Sequence, residues 1–563
     1  MATVHEISDR YVERWAALDP IEATALGVTG HDGAMTDYSP DGIKERAEHD
    51  RTTLRELAGA STADPRDRTA VDVMIERIEL ALELTAAGER LRELRIIGSP
   101  VSEVRATFDV MQKETEHDWE LVVARLGVVP PGLAGFEASL EAGTAHGVMA
   151  SRRQAVECAK QAETWGGLRE GVPPYFLTLV DAFDAAGIPS RLLRDHLEER
   201  ARRATAAYAA LARYLREDYA PKAPERDAVG AERYALFARV FTGTHLDLVE
   251  TYEWGWDELH RIEHAMRKVA DRILPGEPLA AVIEHLETDP RRAISGVDAF
   301  RNWLQELTDR TIAELDGTHF DIAEPLHRCE AMIAPPGGAA AMYYTPPSED
   351  FTRPGRTWYP TLGRTRFPLW GEVSTAYHEG VPGHHLQIAH TTYLRDRLTR
   401  FQRHLAHCSG YIEGWALYAE RLMGELGYLE NPDYELGMLR AQAMRAVRVI
   451  VDIGMHLELP IPESEHYHPG ERWTPELALP FVIARSHMPA DFMASEVDRY
   501  LGWPGQAISY KVGERVWLAT REEARARAGA SFDLKAFHMA ALDLGPMGLA
   551  QLPRELARLQ LKR

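Results

Sequence analysis

Apolar residues recur at a helical period through most of this chain, between stops made of proline and glycine, and this punctuation restricts the fold to a mostly α architecture. Ser39-Pro40 and Asp64-Pro65 open helices, the second carrying Val71, Met74, Ile75, Ile78 and Leu82 on one side. Stops are expected at Pro130-Pro131, Gly143, Gly166-Gly167, Pro173-Pro174 and Gly187-Ile188-Pro189. Long helices are predicted over residues 190–219 and 248–273, the latter amphipathic through Tyr252, Trp256, Leu259, Ile262 and Met266, and again over 290–316. The rhythm changes only in 320–370. Pro335-Pro336-Gly337-Gly338, Tyr343-Tyr344-Thr345-Pro346-Pro347, Arg353-Pro354-Gly355 and Trp358-Tyr359-Pro360 predict a loop-rich insert with a few short strands. A chain of 563 residues exceeds a single ordinary core. Pro221 to Asp227 is its best linker, giving a helical half over 1–225 and a second half over 226–563.

The second half holds the residues with chemistry. His378-Glu379-Gly380-Val381-Pro382-Gly383-His384-His385 sets three imidazoles and a carboxylate within eight residues. Two imidazoles and a carboxylate suit a catalytic zinc ion, and the Glu after the first His is where a general base is needed. On a helix, positions i and i+4 share a face, but here i+4 is Pro382. His385 returns to within about 20 degrees of His378 yet lies roughly 10 Å further along an ideal axis. Pro382-Gly383 can distort the helix, and a two-residue expansion would bring His384 to the usual place. His384 is favoured as the second ligand, with His385 as the alternative. Glu413 follows 35 residues after His378. A helix, a turn and a second helix fit that interval, so Glu413 can supply the third ligand and leave a position for water. Glu420, seven residues on, reads equally as support for a ligand or as a surface charge.

A formal net charge of −22 disfavours nucleic acid and anionic membrane surfaces as partners. Cys158, Cys329 and Cys408 form no CxxC pair and predict neither a disulfide framework nor a thiolate metal site; they point to a reducing cytoplasm. Cys408, close to the motif, reads best as a small buried side chain. The first residues have no apolar signal-peptide core, and no run of about 18 apolar residues predicts a membrane span.

The motif together with Glu413-Gly414-Trp415-Ala416-Leu417-Tyr418 resembles the bacterial family called domain of unknown function 885. The resemblance extends through Leu18-Asp19-Pro20-Ile21-Glu22-Ala23, Tyr343-Tyr344, Arg353-Pro354-Gly355, the segment Arg448 to His456, and the segment Pro504 to Gly513. That family looks distantly similar to gluzincin peptidases of the thimet oligopeptidase and Taq carboxypeptidase type. The similarity implies a helical zincin-like channel between the two halves, one Zn2+ ion, and a late Tyr or His that stabilises the tetrahedral intermediate. Tyr510 and His456 are the candidates for that role. Arg353, Tyr344, Arg448, Gln506 and Lys511 are candidates for substrate binding. Arg353, on the loop insert, has the planar fork that grips a carboxylate.

The expected function is hydrolysis of short peptides by metal-activated water, with Glu379 as general base. A metal-dependent amidohydrolase or lyase acting on a small specialised metabolite, and a non-catalytic peptide-binding relative, are the alternatives. The sequence leaves the oligomeric state undecided, a homodimer included.

Overall fold

Proline-led helix starts set the framework of the computed structural model, which describes residues 2–334 and 341–559. Asp19 closes the helix Val4–Leu18 through its backbone N–H and caps Pro20–Ala25 with its side chain. Ser39 caps Pro40–Leu57 in the same way, with Pro40 at the first position, where no donor is lost. The described chain is mostly α-helical, with a few short strands. Pro335-Pro336-Gly337-Gly338, expected in the loop-rich insert, lie outside the described residues.

Contacts group the chain into two units. One comprises Met1–Thr62, Ile75–Val229 and Ser495–Trp503; the other comprises Ala63–Met74, Gly230–Ala494 and Pro504–Arg563. In the first, the expected stop at Pro130-Pro131 does not occur. One helix, Glu116–Ala145, runs through both prolines and through Gly143. Trp119, Val122, Leu126, Val129, Leu133, Phe136 and Leu140 are buried along it, and this packing outweighs the lost backbone bonds. Gly143 lies where a Cβ would strike the carbonyl oxygens of Leu91 and Val148. This helix has the length and composition of a membrane span, with a mean hydropathy of 1.3 over its best window. Its apolar residues belong to the core of the first unit. The helix predicted over 190–219 is α-helical from Arg191 to Arg213 and continues as a π-helical turn, Tyr214–Tyr219.

The second unit contains the strands. β1 (Ala293–Ser295) pairs antiparallel with β5 (Arg366–Pro368). β2 (Cys329–Ile333) runs parallel to β4 (Gly355–Tyr359), and β3 (Tyr343–Thr345) runs antiparallel to β4. The helix predicted from residue 290 therefore starts late, at Val297, because the residues before it enter a ladder. The same unit holds α1 (Leu248–Ile273), α2 (Glu372–Glu379), α3 (His384–Tyr393), α4 (Ser409–Glu425), α5 (Pro432–Leu457) and α6 (Ser509–Ala528). The apolar face predicted for α1 is the buried one. Where α4 meets α6, Gly414 lies against Gly513, and a Cβ on either would overlap the other helix's backbone. Two glycines thus let the helix carrying Glu413 and the helix carrying Tyr510 approach backbone to backbone.

Candidate metal centre

The expanded motif is a break between two helices. The last bond of α2 runs from Gly380 N–H to the Ala376 carbonyl, 2.9 Å. Four residues, Gly380 to Gly383, then form a loop with a cis Val381-Pro382 bond before α3 starts at His384. Gly383 N–H donates to the Tyr377 carbonyl (3.0 Å), and His385 N–H to the Gly380 carbonyl (3.0 Å). A Cβ at 383 would overlap the His378 carbonyl oxygen, so glycine is required by close approach. Trp415 of α4, fully buried, donates from its indole nitrogen to the Pro382 carbonyl at 2.8 Å.

This loop brings the rings of His378 and His384 to 4.7 Å between centroids, nearly perpendicular. Glu413 Oε2 lies 3.4 Å from His378 Nε2 and 3.5 Å from His384 Nε2. The three ligand-type atoms all lie within 4.8 Å of one another. Ligands about 2.1 Å from a tetrahedral ion stand roughly 3.4 Å apart, so the residues present fit one zinc-sized cation. Glu413 Oε2 is buried and makes no well-aligned hydrogen bond among the described residues, which leaves its lone pairs open to a cation. His378 Nδ1–H donates to Glu420 Oε1 at 2.8 Å, which fixes the tautomer and turns Nε2 inward. Glu420 is fully buried and has Arg445 of α5 3.5 Å away, so its reading as a surface charge is dropped.

Charge follows the geometry. Burial alone would depress the pKa of His378, but the facing carboxylates of Glu413 and Glu420 outweigh it and raise it to about 9. Burial would raise the pKa of Glu413, yet the two imidazoles hold its carboxyl well below the usual range.

His385 does not join the cluster. Its Nε2–H donates to the Leu326 carbonyl (2.9 Å), and its Nδ1 accepts from the Tyr344 hydroxyl (3.0 Å). Burial pushes its pKa down to about 4, so the ring is neutral. Tyr344 is thereby a support for the ring beside His384. Glu379 ends α2, buried, next to His378. Tyr359 of β4 stands near it. Burial chiefly raises the pKa of this phenol, and the charge of Glu379 adds to the rise.

Tyr510 lies on the Glu420 side. The Arg448 guanidinium sits 4.7 Å from its ring centre, and that of Arg445 6.0 Å. Arg448 and Gln506 are both buried, and Gln506 presents its backbone carbonyl to Ser509. His456 is corrected as a catalytic candidate. It is fully buried near Asp452 and Tyr234, and 11 residues of α5 separate it from Arg445, about 16 Å along the axis. Lys511 is corrected as a substrate residue, because its ammonium is fully buried against Glu258, Gln442 and Glu514. Cys408 is buried, with its thiol on the Phe241 carbonyl. Trp415, Arg445 and Tyr359 were not singled out from the sequence. Their positions come from contacts between distant segments, although Trp415 does stand inside the second motif.

Residues 20–556 match the family described as "Bacterial protein of unknown function (DUF885)". The chain belongs to that family. No curated protein matches this DUF885 chain. Two solved structures share its fold. One, from Colwellia psychrerythraea, is 23% identical with a TM-score of 0.83, covering 99% of each chain. The other, from Shewanella oneidensis and of unknown function, is 16% identical with a TM-score of 0.74, covering 99% of this chain and 100% of its own. Both are described as a "putative lipoprotein". A lipoprotein is held at a membrane by its lipid, so the cytoplasmic placement expected from the sequence is withdrawn. Three buried free thiols exclude disulfides within the chain; they do not assign a compartment.

Proposed function

We propose that this DUF885 protein is a zinc-dependent hydrolase of short peptides. The observation that carries the reading is the convergence of His378 Nε2, His384 Nε2 and Glu413 Oε2 beside Glu379. Two imidazoles and one carboxylate, with a glutamate directly after the first imidazole, form the donor set of gluzincin-type peptidases. A divalent cation held there would polarise a substrate carbonyl and acidify a water.

The protein's own residues supply the rest. Glu379 is buried beside the ligands and takes a proton from the attacking water, then returns it to the leaving amine. Glu420 keeps the His378 ring in one tautomer and orientation. We assign to Tyr510, whose ring carries the Arg448 guanidinium at 4.7 Å, the role of stabilising a developing oxyanion. Trp415 holds the loop that sets the spacing of the two imidazoles.

The test is elemental analysis of the purified protein combined with a peptide library, with and without chelator. One bound zinc and chelator-sensitive cleavage that falls by about 10²-fold or more in Glu379→Gln are expected. Protein that binds no metal and cleaves nothing after zinc addition refutes the reading.

A further inference from the structure

Among the described residues Arg353 has no hydrogen-bond or ion-pair partner for its guanidinium, which lies near Tyr344, the residue bonded to His385. Its side chain is half-buried. Other arginines of the insert are engaged: Arg356 with Glu330, Arg366 with the Glu287 carbonyl. An arginine that gives up part of its hydration without a carboxylate partner is held at a cost, and a ligand carboxylate would offset that cost.

The turn that carries Arg353 is firmly built. Its carbonyl accepts from Ser348 N–H at 3.0 Å, continuing the antiparallel register in which Thr345 faces Arg356. Its N–H donates to Ser348 Oγ at 3.0 Å. Asp350 accepts from Ser348 Oγ and from Thr352 N–H and Oγ1. Glu349 fastens the turn to Arg403 (2.6 Å) and His404 (2.9 Å). Two positions later the chain enters β4 and lies against His385. A Cβ on Gly355 would overlap both the Tyr344 hydroxyl and His385 Nδ1, and His385 directly follows the ligand His384. Two residues of extended chain span about 7 Å, so Arg353 stands about two amino-acid units along the chain from the contact with His385.

We propose that Arg353 binds the free C-terminal carboxylate of the substrate, so that the site acts as an exopeptidase on the carboxyl end of short peptides. This deepens the hydrolase reading and rests on it. The planar guanidinium grips the carboxylate through two parallel N–H donors, and the distance from Arg353 to the ligands sets which bond is presented to Glu379. A C-terminal amide cannot make that pair.

The probes are alanyl-alanyl-phenylalanine and its C-terminal amide. Binding is measured by calorimetry on zinc-loaded E379Q, which reads recognition without turnover. Hydrolysis is measured on the zinc-loaded wild type. The acid is expected to bind at least roughly 10-fold more tightly than the amide, the scale of one charge-assisted hydrogen-bond pair. Adding R353Q should collapse the preference to less than about 2-fold, mainly by weakening the acid, and R353K should restore part of it. Thermal melting checks that each variant is folded, and R353K serves as the readout should R353Q be unstable. Equal binding of acid and amide by E379Q, or a preference that survives in R353Q and is unaltered in R353K, overturns the proposal. The two readings separate cleanly. Acid-selective binding that depends on Arg353, in a wild type that cleaves neither probe, keeps the anchor and rejects the hydrolase. Cleavage of acid and amide at equal rates keeps the hydrolase and rejects the anchor.

Discussion

The indole N–H of Trp415 donates to the carbonyl oxygen of Pro382 at 2.8 Å, joining the loop between the candidate ligands His378 and His384 to the helix that carries Glu413. Trp415 stands two residues after Glu413 on α4, and Pro382 two residues before His384. One buried bond therefore couples the spacing of His378, His384 and Glu413. Trp415→Phe keeps most of the ring volume and leaves the Pro382 carbonyl buried without a donor. It is expected to cost about 1–3 kcal/mol of stability and to weaken zinc binding. Urea unfolding with and without zinc measures both effects, and a variant matching the wild type in both would show that the bond does not position the loop.

Glu420 acts on the metal site through His378. Glu420→Gln keeps a hydrogen-bond acceptor of the same shape but removes the negative charge that polarises the ring. Zinc affinity is expected to fall by about 10- to 100-fold while the fold persists, the usual scale for a partner one step behind a ligand. Competition against a chelating dye reads the affinity. An unchanged constant would make Glu420 a counter-ion for Arg445 alone.

The metal residues differ in how far they were legible in the sequence. His378, Glu379 and Glu413 stand out because helix periodicity and a 35-residue interval are local or nearly local properties. The choice between His384 and His385 depends on how four loop residues turn, and no periodicity describes a turn. Arg445 reaches Glu420 from a separate helix, so only tertiary packing reveals it. Pro130-Pro131 misleads for a related reason. Local propensity marks a stop there, while the buried side of the Glu116–Ala145 helix outweighs it. His456 reads like a catalytic residue by analogy of position, yet α5 carries it three turns past Arg445, where it is fully buried.

A buried charge network behind the site predicts the acid limb of stability. Glu258 of α1 faces Lys511 of α6 (2.7 Å), Arg261 of its own helix (2.7 Å) and Arg421 of α4 (3.7 Å), with Glu514 and Gln442 on the same ammonium. Burial would raise the pKa of Glu258, but its cationic partners outweigh this and hold it at about 2. A depressed folded-state value means that the stabilisation is fully present above the unfolded value near 4.5 and is lost as pH falls towards about 2. Melting temperature should therefore drop through that window. Glu258→Gln should start lower at neutral pH and show a shallower fall. Parallel profiles for the two proteins would assign the acid limb to other carboxylates.

The two adjacent histidines give the sharpest contrast. His384 and His385 are neighbours of the same chemistry in the same helical turn, and both are buried. His384 directs Nε2 at Glu413, and its Nδ1 has no hydrogen-bond partner among the described residues. His385 has both nitrogens engaged, one donating to Leu326 and one accepting from Tyr344. A ring whose nitrogens are both in hydrogen bonds has no lone pair to offer a cation, whereas His384 Nε2 has one and a carboxylate oxygen to share. His384→Ala is therefore expected to lose stoichiometric zinc, because two protein ligands do not hold the ion against water. His385→Asn, which keeps a side-chain donor and acceptor near their places, is expected to bind one zinc and to lose stability by about 1–3 kcal/mol through poorly met partners. Cobalt substitution gives a direct reading, because the visible absorption of a tetrahedral cobalt site reports ligand number and type. The His385→Asn spectrum should superimpose on that of the wild type, and His384→Ala should show none. The reverse pattern would mean that the turn at Val381-Pro382-Gly383 delivers the other imidazole.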